Sequence, residues 1–205
     1  MRPPPSSPPA PDTERAWHDY AMGYLAEQFP EGAPAGLTGA RFFDDAPLEG
    51  EGAVVIYRFT ANPGGQTCED YHVVVGETEG NYYPAYGLDA EDAYHLHLGT
   101  RFMLVMGVAQ ADAESAADCD AAAEAQRIVD HVAPGEPIAD AEVAVAFDVA
   151  AQFHAVMRCS IAGESVYLFG EGCPPGFSRR RDLAPQVVYR LHLGRILRRE
   201  HDADT

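Results

Sequence analysis

Four ionisable side chains recur at matched places in this chain. Glu77 and Glu171 each follow a glycine at the end of a predicted strand, and His95 and Arg190 occupy equivalent positions in two predicted helices. Paired carboxylates can act as general acid and base, and a buried cation needs an acceptor or an opening onto a cleft. The four residues therefore predict one candidate, a small-molecule site or enzyme active site in a cleft between two halves of the chain.

Three tyrosines stand within five residues in the segment GNYYPAYG (80–87). Tyr82, Tyr83 and Tyr86 predict a loop with a rigid aromatic surface, of the kind that anchors ligands or protein partners. In the alternative interpretation, two of these rings cover the core beneath the loop. The corresponding segment 172–182 keeps only Phe177 and introduces arginines, so we expect any function of this loop in one half of the chain alone.

The signatures of common catalytic and metal sites are missing from the sequence. No Gly-x-Ser-x-Gly, Gly-x-Gly-x-x-Gly or Gly-x-x-x-x-Gly-Lys motif occurs. His95 and His97 are two residues apart, which separates their side chains by about 200° on a helix, whereas a helical zinc pair needs i, i+4 spacing. The four cysteines form no Cys-x-x-Cys pair, so we expect free thiols in a reducing compartment. We predict no catalytic residue, no metal and no cofactor.

The charge of the chain constrains its partners. The 205 residues include 32 acidic and 14 basic side chains, for a net charge of −18, and every basic residue is an arginine. Such a charge disfavours nucleic acid and anionic membranes. Without an apolar run of 18 residues or a signal peptide, we predict a cytoplasmic protein with no membrane span. Adaptation to a salt-rich environment is the alternative explanation of the acidity.

Half of the arginines are clustered near the C-terminus. Seven fall between Arg179 and Arg199, opposed only by Asp182. We expect this strip to lie against the acidic body or to follow the dipole of a helix C-terminus. An external anionic partner is the alternative.

The sequence also contains an internal repeat. LDAEDAYHLHLG (88–99) matches LAPQVVYRLHLG (183–194) at six of twelve positions, at an offset of 95 residues. Upstream, YHVVVGE (71–77) parallels SVYLFGE (165–171), and the segments around Arg58 and Arg158 correspond. These two arginines are expected on a solvated or salt-bridged strand face.

Periodicity predicts an α+β fold, a tandem duplication of an α-β-β-β-α unit with pseudo-twofold symmetry. We place a disordered Pro-rich tail at 1–12, the first unit at 13–110, the second at 111–200 and a C-terminal tail at 201–205, with the joint near 109–115. Glycine inside a helix is unfavourable, so Gly99 and Gly194 predict a close approach of another element. His97 and His192 are expected at the edge of the apolar face.

The predicted order and the acidity resemble half of a type III secretion chaperone-type fold, a likeness of topology without a shared motif. Our first hypothesis is a non-enzymatic adaptor or chaperone-like module that binds a protein partner through its acidic body and its tyrosine loop. The site between the repeats is the second. A dimer is compatible with either.

Overall fold

The computed structural model describes residues 14–44, 53–61, 69–76, 80–111, 119–149, 152–170 and 174–204. Contacts divide the chain into two compact units, Met1–Leu98 with Leu197–Thr205 and Gly99–Ile196. The division therefore falls inside two helices, whereas the sequence pattern places the joint near 109–115. The predicted N-terminal tail lies outside the described residues.

The first unit contains one four-stranded antiparallel sheet. Its elements are listed in chain order: α1 (Glu14–Gln28), β1 (Thr38–Asp44), β2 (Ala53–Ala61), β3 (Glu69–Val75), β4 (Gly80–Pro84) and the start of α2 (Ala90–Val105). The strand order is β1-β2-β3-β4, so β1 and β4 are the edges. The Asp89 carboxylate accepts the Asp92 backbone N–H at 2.8 Å and thereby caps the start of α2.

Each face of this sheet buries an apolar cluster. Trp17, Ala21 and Leu25, spaced four residues apart, form the buried stripe of α1. They pack with alternate residues of β2 and β3, including Tyr57 and Val73, whereas Val54, Ile56 and Val74 lie on the opposite face with Tyr94 and Leu98 of α2. The uninterrupted apolar run in β2 follows from its burial on both faces.

The second unit contains a five-stranded antiparallel sheet with the order β5-β6-β7-β8-β9. The remaining elements are β5 (Ala109–Gln110), α3 (Ala121–Val132), β6 (Ile138–Val149), β7 (Gln152–Ile161), β8 (Glu164–Gly170), β9 (Gly176–Ser178) and α4 (Pro185–Asp204). Asp120 caps α3 by accepting the Ala123 N–H at 3.1 Å. Ala125, Ile128 and Val129 of α3 pack on β7 and β8.

The chain is a mixed α+β protein with four helices and two antiparallel sheets in its described part, which confirms the predicted class. Three strands per unit proved to be too few, because β4 and β9 add one strand each where the sequence predicts loops. Glycine, asparagine and proline in 80–84 are typical of loops, and only pairing with β3 makes this segment a strand. The last helix continues to Asp204, into the segment predicted as a C-terminal tail.

A close backbone approach explains the mid-helix Gly99. A Cβ at this position would lie 1.9 Å from the carbonyl oxygen of Arg190, which is a steric clash with backbone. The expected reason for a glycine here is thereby confirmed at Gly99.

None of the helices in the described part of the chain combines the length and the apolarity that crossing a bilayer requires.

Candidate aromatic binding surface

The tyrosine segment of the first unit forms an edge strand followed by a tight turn. Tyr82 and Tyr83 lie on β4, opposite Val73 and His72 of β3. Neighbouring residues of a strand point to opposite faces of the sheet, so the two rings separate. Tyr82 lies with the α1-side cluster, where its ring centroid is 4.9 Å from that of Phe29.

Tyr83 does not share that surface. Its hydroxyl and the Nδ1 atom of His97 are 3.3 Å apart, which places Tyr83 on the α2 side of the sheet. His97 is 2% exposed, so the prediction of an edge position for this histidine is wrong. The three tyrosines are close together in the sequence, but the side chains of a strand alternate between the two faces of the sheet. Tyr83 therefore lies on the α2 side and has a structural role.

Tyr82 is supported from beneath by other aromatic rings. Its ring lies 6.1 Å from that of Tyr71, which in turn stacks on Phe59 at 5.4 Å. The Tyr71 hydroxyl donates a hydrogen bond to the Glu69 carboxylate at 2.9 Å. Burial, together with this acceptor, raises the pKa of Tyr71 to about 12. Tyr82 itself is 38% exposed, so it presents part of a ring that its neighbours hold in place.

Tyr86 adopts a backbone conformation that tyrosine rarely takes. Its φ is 49° and that of Gly87 is 66°, and the Leu88 N–H donates to the Ala85 carbonyl at 2.7 Å. Positive φ at both central residues is the pattern of a type I′ turn, which favours Gly, Asn and Asp. The Tyr86 side chain is nevertheless 43% exposed, so core burial alone does not explain a tyrosine at this position.

The corresponding turn of the second unit avoids this strain. There the Leu183 N–H donates to the Arg180 carbonyl at 3.1 Å, and the residue in the place of Tyr86 is Arg181. Among the described residues, the non-glycine positions with positive φ are Tyr86, Asp140 and Ala162. A turn that closes with the same hydrogen bond can therefore form without a left-handed residue at this position.

The two matched strand arginines form ion pairs. Hydrogen bonds from Arg58 and Thr60 lower the pKa of Asp70, and the Arg58–Asp70 ion pair is exposed, as is the Arg158–Glu142 pair of the second unit. The expectation of salt-bridged strand arginines is confirmed. His72, which lies opposite Tyr83 on the same face of the sheet, is buried, and desolvation together with the nearby Arg58 lowers its pKa.

The structure leaves the four-residue polar site untested. Glu77 and Glu171 lie outside the described residues, His95 belongs to the first unit and Arg190 to the second. His95 is only 9% exposed, and Arg190 is half-buried. Their convergence stays a prediction.

Strands β3 and β8 share their faces at an offset of 95 residues. Tyr71 and Val73 of β3 face the α1-side cluster, and Val166 and Leu168 of β8 face the α3-side cluster. Both pairs are 95 positions apart (71 to 166, 73 to 168), whereas YHVVVGE and SVYLFGE align at 94. A one-residue shift exchanges the faces of a strand, so the described part of β8 is one residue out of that alignment.

Two other expectations are met in part. Three arginines of the C-terminal strip form ion pairs, Arg179 with Glu164, Arg180 with Asp182 and Arg198 with Asp202. Cys119 and Cys159 form no disulfide in the described part of the chain, and the other two cysteines lie outside it. Within the described ranges, no group of three or more His, Cys, Asp or Glu side chains could hold a metal ion.

Sequence reasoning missed a pocket of about 350 Å³ in the second unit. Its lining comes from three separate segments: the end of α3 and the loop after it, the β7–β8 hairpin, and β9 with Arg179. No spacing in the sequence could have shown that these segments meet, because they are brought together only by the pairing of β7, β8 and β9.

Comparison of the chain with protein families, with curated proteins and with solved structures finds no match.

Proposed function

We propose that this protein is a non-enzymatic adaptor or chaperone-like module that binds a segment of a protein partner on the first unit. The binding surface consists of Tyr82 and Tyr86, and we name it the tyrosine surface. Both rings are partly exposed, and tyrosine is enriched among the residues that dominate binding energy at interfaces.

The observation that supports this proposal most directly is the left-handed backbone of Tyr86. A non-glycine residue in this conformation costs roughly 1–2 kcal/mol, and such strain is concentrated at functional sites. Asn or Gly would form the turn without that cost, and Arg181 occupies the corresponding turn without left-handed geometry. A partly exposed tyrosine retained under strain is most simply explained by a contact that its ring makes with a partner.

The surface is also rigid. Phe29 and Tyr71 pack against Tyr82 from the core side, so its ring loses little conformational freedom on binding. Preorganised aromatic anchors contribute more to affinity for this reason.

The partner is bound through side chains rather than by strand addition. Ala85 donates its N–H to the Asp70 carbonyl at 2.8 Å, so the alternation of an antiparallel ladder turns the nitrogen of the preceding Pro84 away from β3. The outer edge of β4 thus lacks a donor at Pro84, and proline at such an edge discourages pairing with another strand.

The charge of the chain indicates a basic partner. With a net charge of −18, long-range attraction favours segments rich in Arg or Lys, and the faces of Tyr82 and Tyr86 can accept such cations. We place this interaction in the cytoplasm.

We further infer that the two units arose by tandem duplication. The offset of 95 holds for β3 and β8, for Tyr82 and Phe177 on the edge strands, and for Tyr94 and Tyr189 on the helices. Each helix tyrosine stacks on a phenylalanine of a strand, Phe43 at 4.4 Å in the first unit and Phe147 at 4.6 Å in the second. The two units share these packing positions but differ in their exposed residues. This pattern fits a duplication in which one copy has kept the binding role.

An array of synthetic peptides that vary independently in net charge and aromatic content tests the binding role. We expect basic peptides with apolar side chains to bind, and their affinity to fall with added salt. Replacing both anchors, Tyr82→Ala with Tyr86→Ala, should weaken Kd about 30-fold, equal to about 2 kcal/mol.

Phe42→Ala is the matched control, because Phe42 is an exposed aromatic residue on β1, at the opposite edge of the same sheet. Circular dichroism establishes that each variant is folded. Binding that survives the double substitution, or that is lost equally in the control, would rule out the tyrosine surface, and an array without any bound peptide would contradict the adaptor role.

A further inference from the structure

The pocket of the second unit has an apolar floor. Val166 belongs to the buried cluster beneath α3, and Ala133 and Ile161 pack against that cluster while also lining the pocket. Phe177, 39% exposed, lines it from β9. With a volume of about 350 Å³, the cavity is at the lower end of the range of small-molecule sites, which fits a ligand with one ring or a short alkyl chain.

The rim of the pocket attracts positive charge. Among the described lining residues, Glu136 and Glu164 are exposed carboxylates and Arg179 is the one cation, which leaves one net negative charge (two minus one). In the part of the chain that the structure describes, Glu136 has no ion-pair partner. Ala133 is also the C-cap of α3, and the dipole of a helix C-terminus favours cations.

Arg179 shows how a cation is held at this rim. Its Nε donates to the Glu164 carboxylate at 3.2 Å, and its guanidinium carbon lies 5.2 Å from the centre of the Phe177 ring. A carboxylate and an aromatic face thus already hold a cation beside an apolar cavity. The Arg179 side chain is 70% exposed, so it can leave this place without disturbing the core.

We propose that this pocket is a binding site for a hydrophobic amine, an organic cation whose apolar body enters the cavity and whose ammonium group is held by Glu136 and Glu164. Arg179 then acts as an internal competitor that occupies Glu164 and Phe177 in the unliganded protein. The site is separate from the tyrosine surface, and it does not depend on the function proposed for that surface.

Two probes with the same apolar body and opposite charges test the proposal. Phenylbutylamine and phenylbutyrate are titrated separately into isotope-labelled full-length protein, with amide chemical shifts as the readout. We expect saturable binding of the amine with a Kd on the order of 1 mM, as for a ligand of this size, with shifts at Ala162, Gly163 and Val166. The carboxylate should bind at least threefold more weakly.

Substitutions of the rim residues separate the competing explanations, because the effects have opposite signs. Arg179→Gln should tighten amine binding about threefold to fivefold by releasing Glu164 and Phe177, and Glu136→Gln should weaken it by a similar factor. Glu142→Gln removes an exposed carboxylate of the same unit that does not line the pocket, and it should leave binding unchanged.

All three substitutions are at exposed positions, so the fold is expected to persist. If phenylbutyrate binds better than the amine and Arg179→Gln abolishes its binding, the pocket is an anion site and the proposal is wrong. The absence of saturable shifts with either probe would also overturn it, as would an amine affinity that Arg179→Gln lowers.

Discussion

The two units use the same aromatic framework but differ at the positions that the framework exposes. Phe43 stacks on Tyr94 and Phe147 stacks on Tyr189, with interplanar angles of 8° and 12°. On the edge strands, by contrast, Tyr82 corresponds to Phe177, and in the turn that follows, a strained Tyr86 corresponds to Arg181. Packing constrains the stacked phenylalanine and tyrosine positions, whereas the exposed positions are free to diverge. Differences between the units at exposed positions therefore indicate where function is to be sought.

Gly99 offers the largest test of that common framework. Because a Cβ there would meet the Arg190 carbonyl oxygen at 1.9 Å, Gly99→Ala should destabilise the protein by about 3 kcal/mol in urea unfolding, despite the better helix propensity of alanine. If the units are copies, Gly194→Ala should cost a similar amount. Leu104→Ala, at a position of the same helix that is 71% exposed, serves as a control with a small expected effect.

A stable Gly99→Ala variant would contradict the close approach. Unequal losses of stability in the Gly99→Ala and Gly194→Ala variants would mean that the two helices are packed differently. The similarity of the units would then be limited to their sheets.

His154 marks a second difference, in the core. Position 54 of β2 is a buried valine, whereas the corresponding His154 of β7 is a buried imidazole whose Nδ1 is 2.7 Å from the Tyr189 hydroxyl. Among the residues that the structure describes, its Nε2 has no hydrogen-bond partner. Burial lowers the pKa of His154, so protonation favours the unfolded chain.

The sign of this effect predicts acid sensitivity. The stability that neutral His154 contributes is complete above its unfolded pKa of about 6.5, and it is lost as the pH falls below that value, with a slope of at most about 1.4 kcal/mol per pH unit. Urea unfolding between pH 7.5 and 5 should show this slope, and His154→Val should reduce it. His72, whose pKa is also lowered, leaves a residual slope. An unchanged slope in His154→Val would assign the sensitivity to other groups.

The turns provide the smallest and most specific test. Tyr86→Gly and Tyr86→Ala both remove the ring, but only glycine accepts a φ of 49° without strain, so the glycine variant should be the more stable by about 1 kcal/mol. At Arg181, where φ is not positive, the glycine variant should be no more stable than the alanine variant. If the glycine and alanine variants differ in stability by the same amount at positions 86 and 181, the backbone of Tyr86 is not strained and no longer supports the tyrosine surface.

Local sequence patterns were enough to predict the α+β class. The match between 88–99 and 183–194 is strong because Tyr94, Leu98 and their counterparts are fixed by packing on a sheet. The close approach predicted at Gly99 is confirmed, since a mid-helix glycine has few explanations other than close approach.

The sequence was less informative wherever pairing between distant segments decides the outcome. β4 reads as a loop until β3 supplies its partner, and that pairing separates Tyr83 from Tyr82. Tyrosine seldom adopts positive φ, so the strained backbone of Tyr86 could not be predicted from its residue type. The pocket of the second unit combines residues from three segments, among them Glu136, Glu164 and Arg179, which no motif connects.

The burial of Trp17 has a practical consequence for every one of these measurements. It is the only tryptophan of the chain, it lies fully buried against the sheet of the first unit, and the second unit has none. Indole fluorescence therefore reports the loss of structure in the first unit alone, while backbone circular dichroism reports both. Coincident transitions would show that the two units unfold as one cooperative body, and separated ones would assign each step to its unit without any added label.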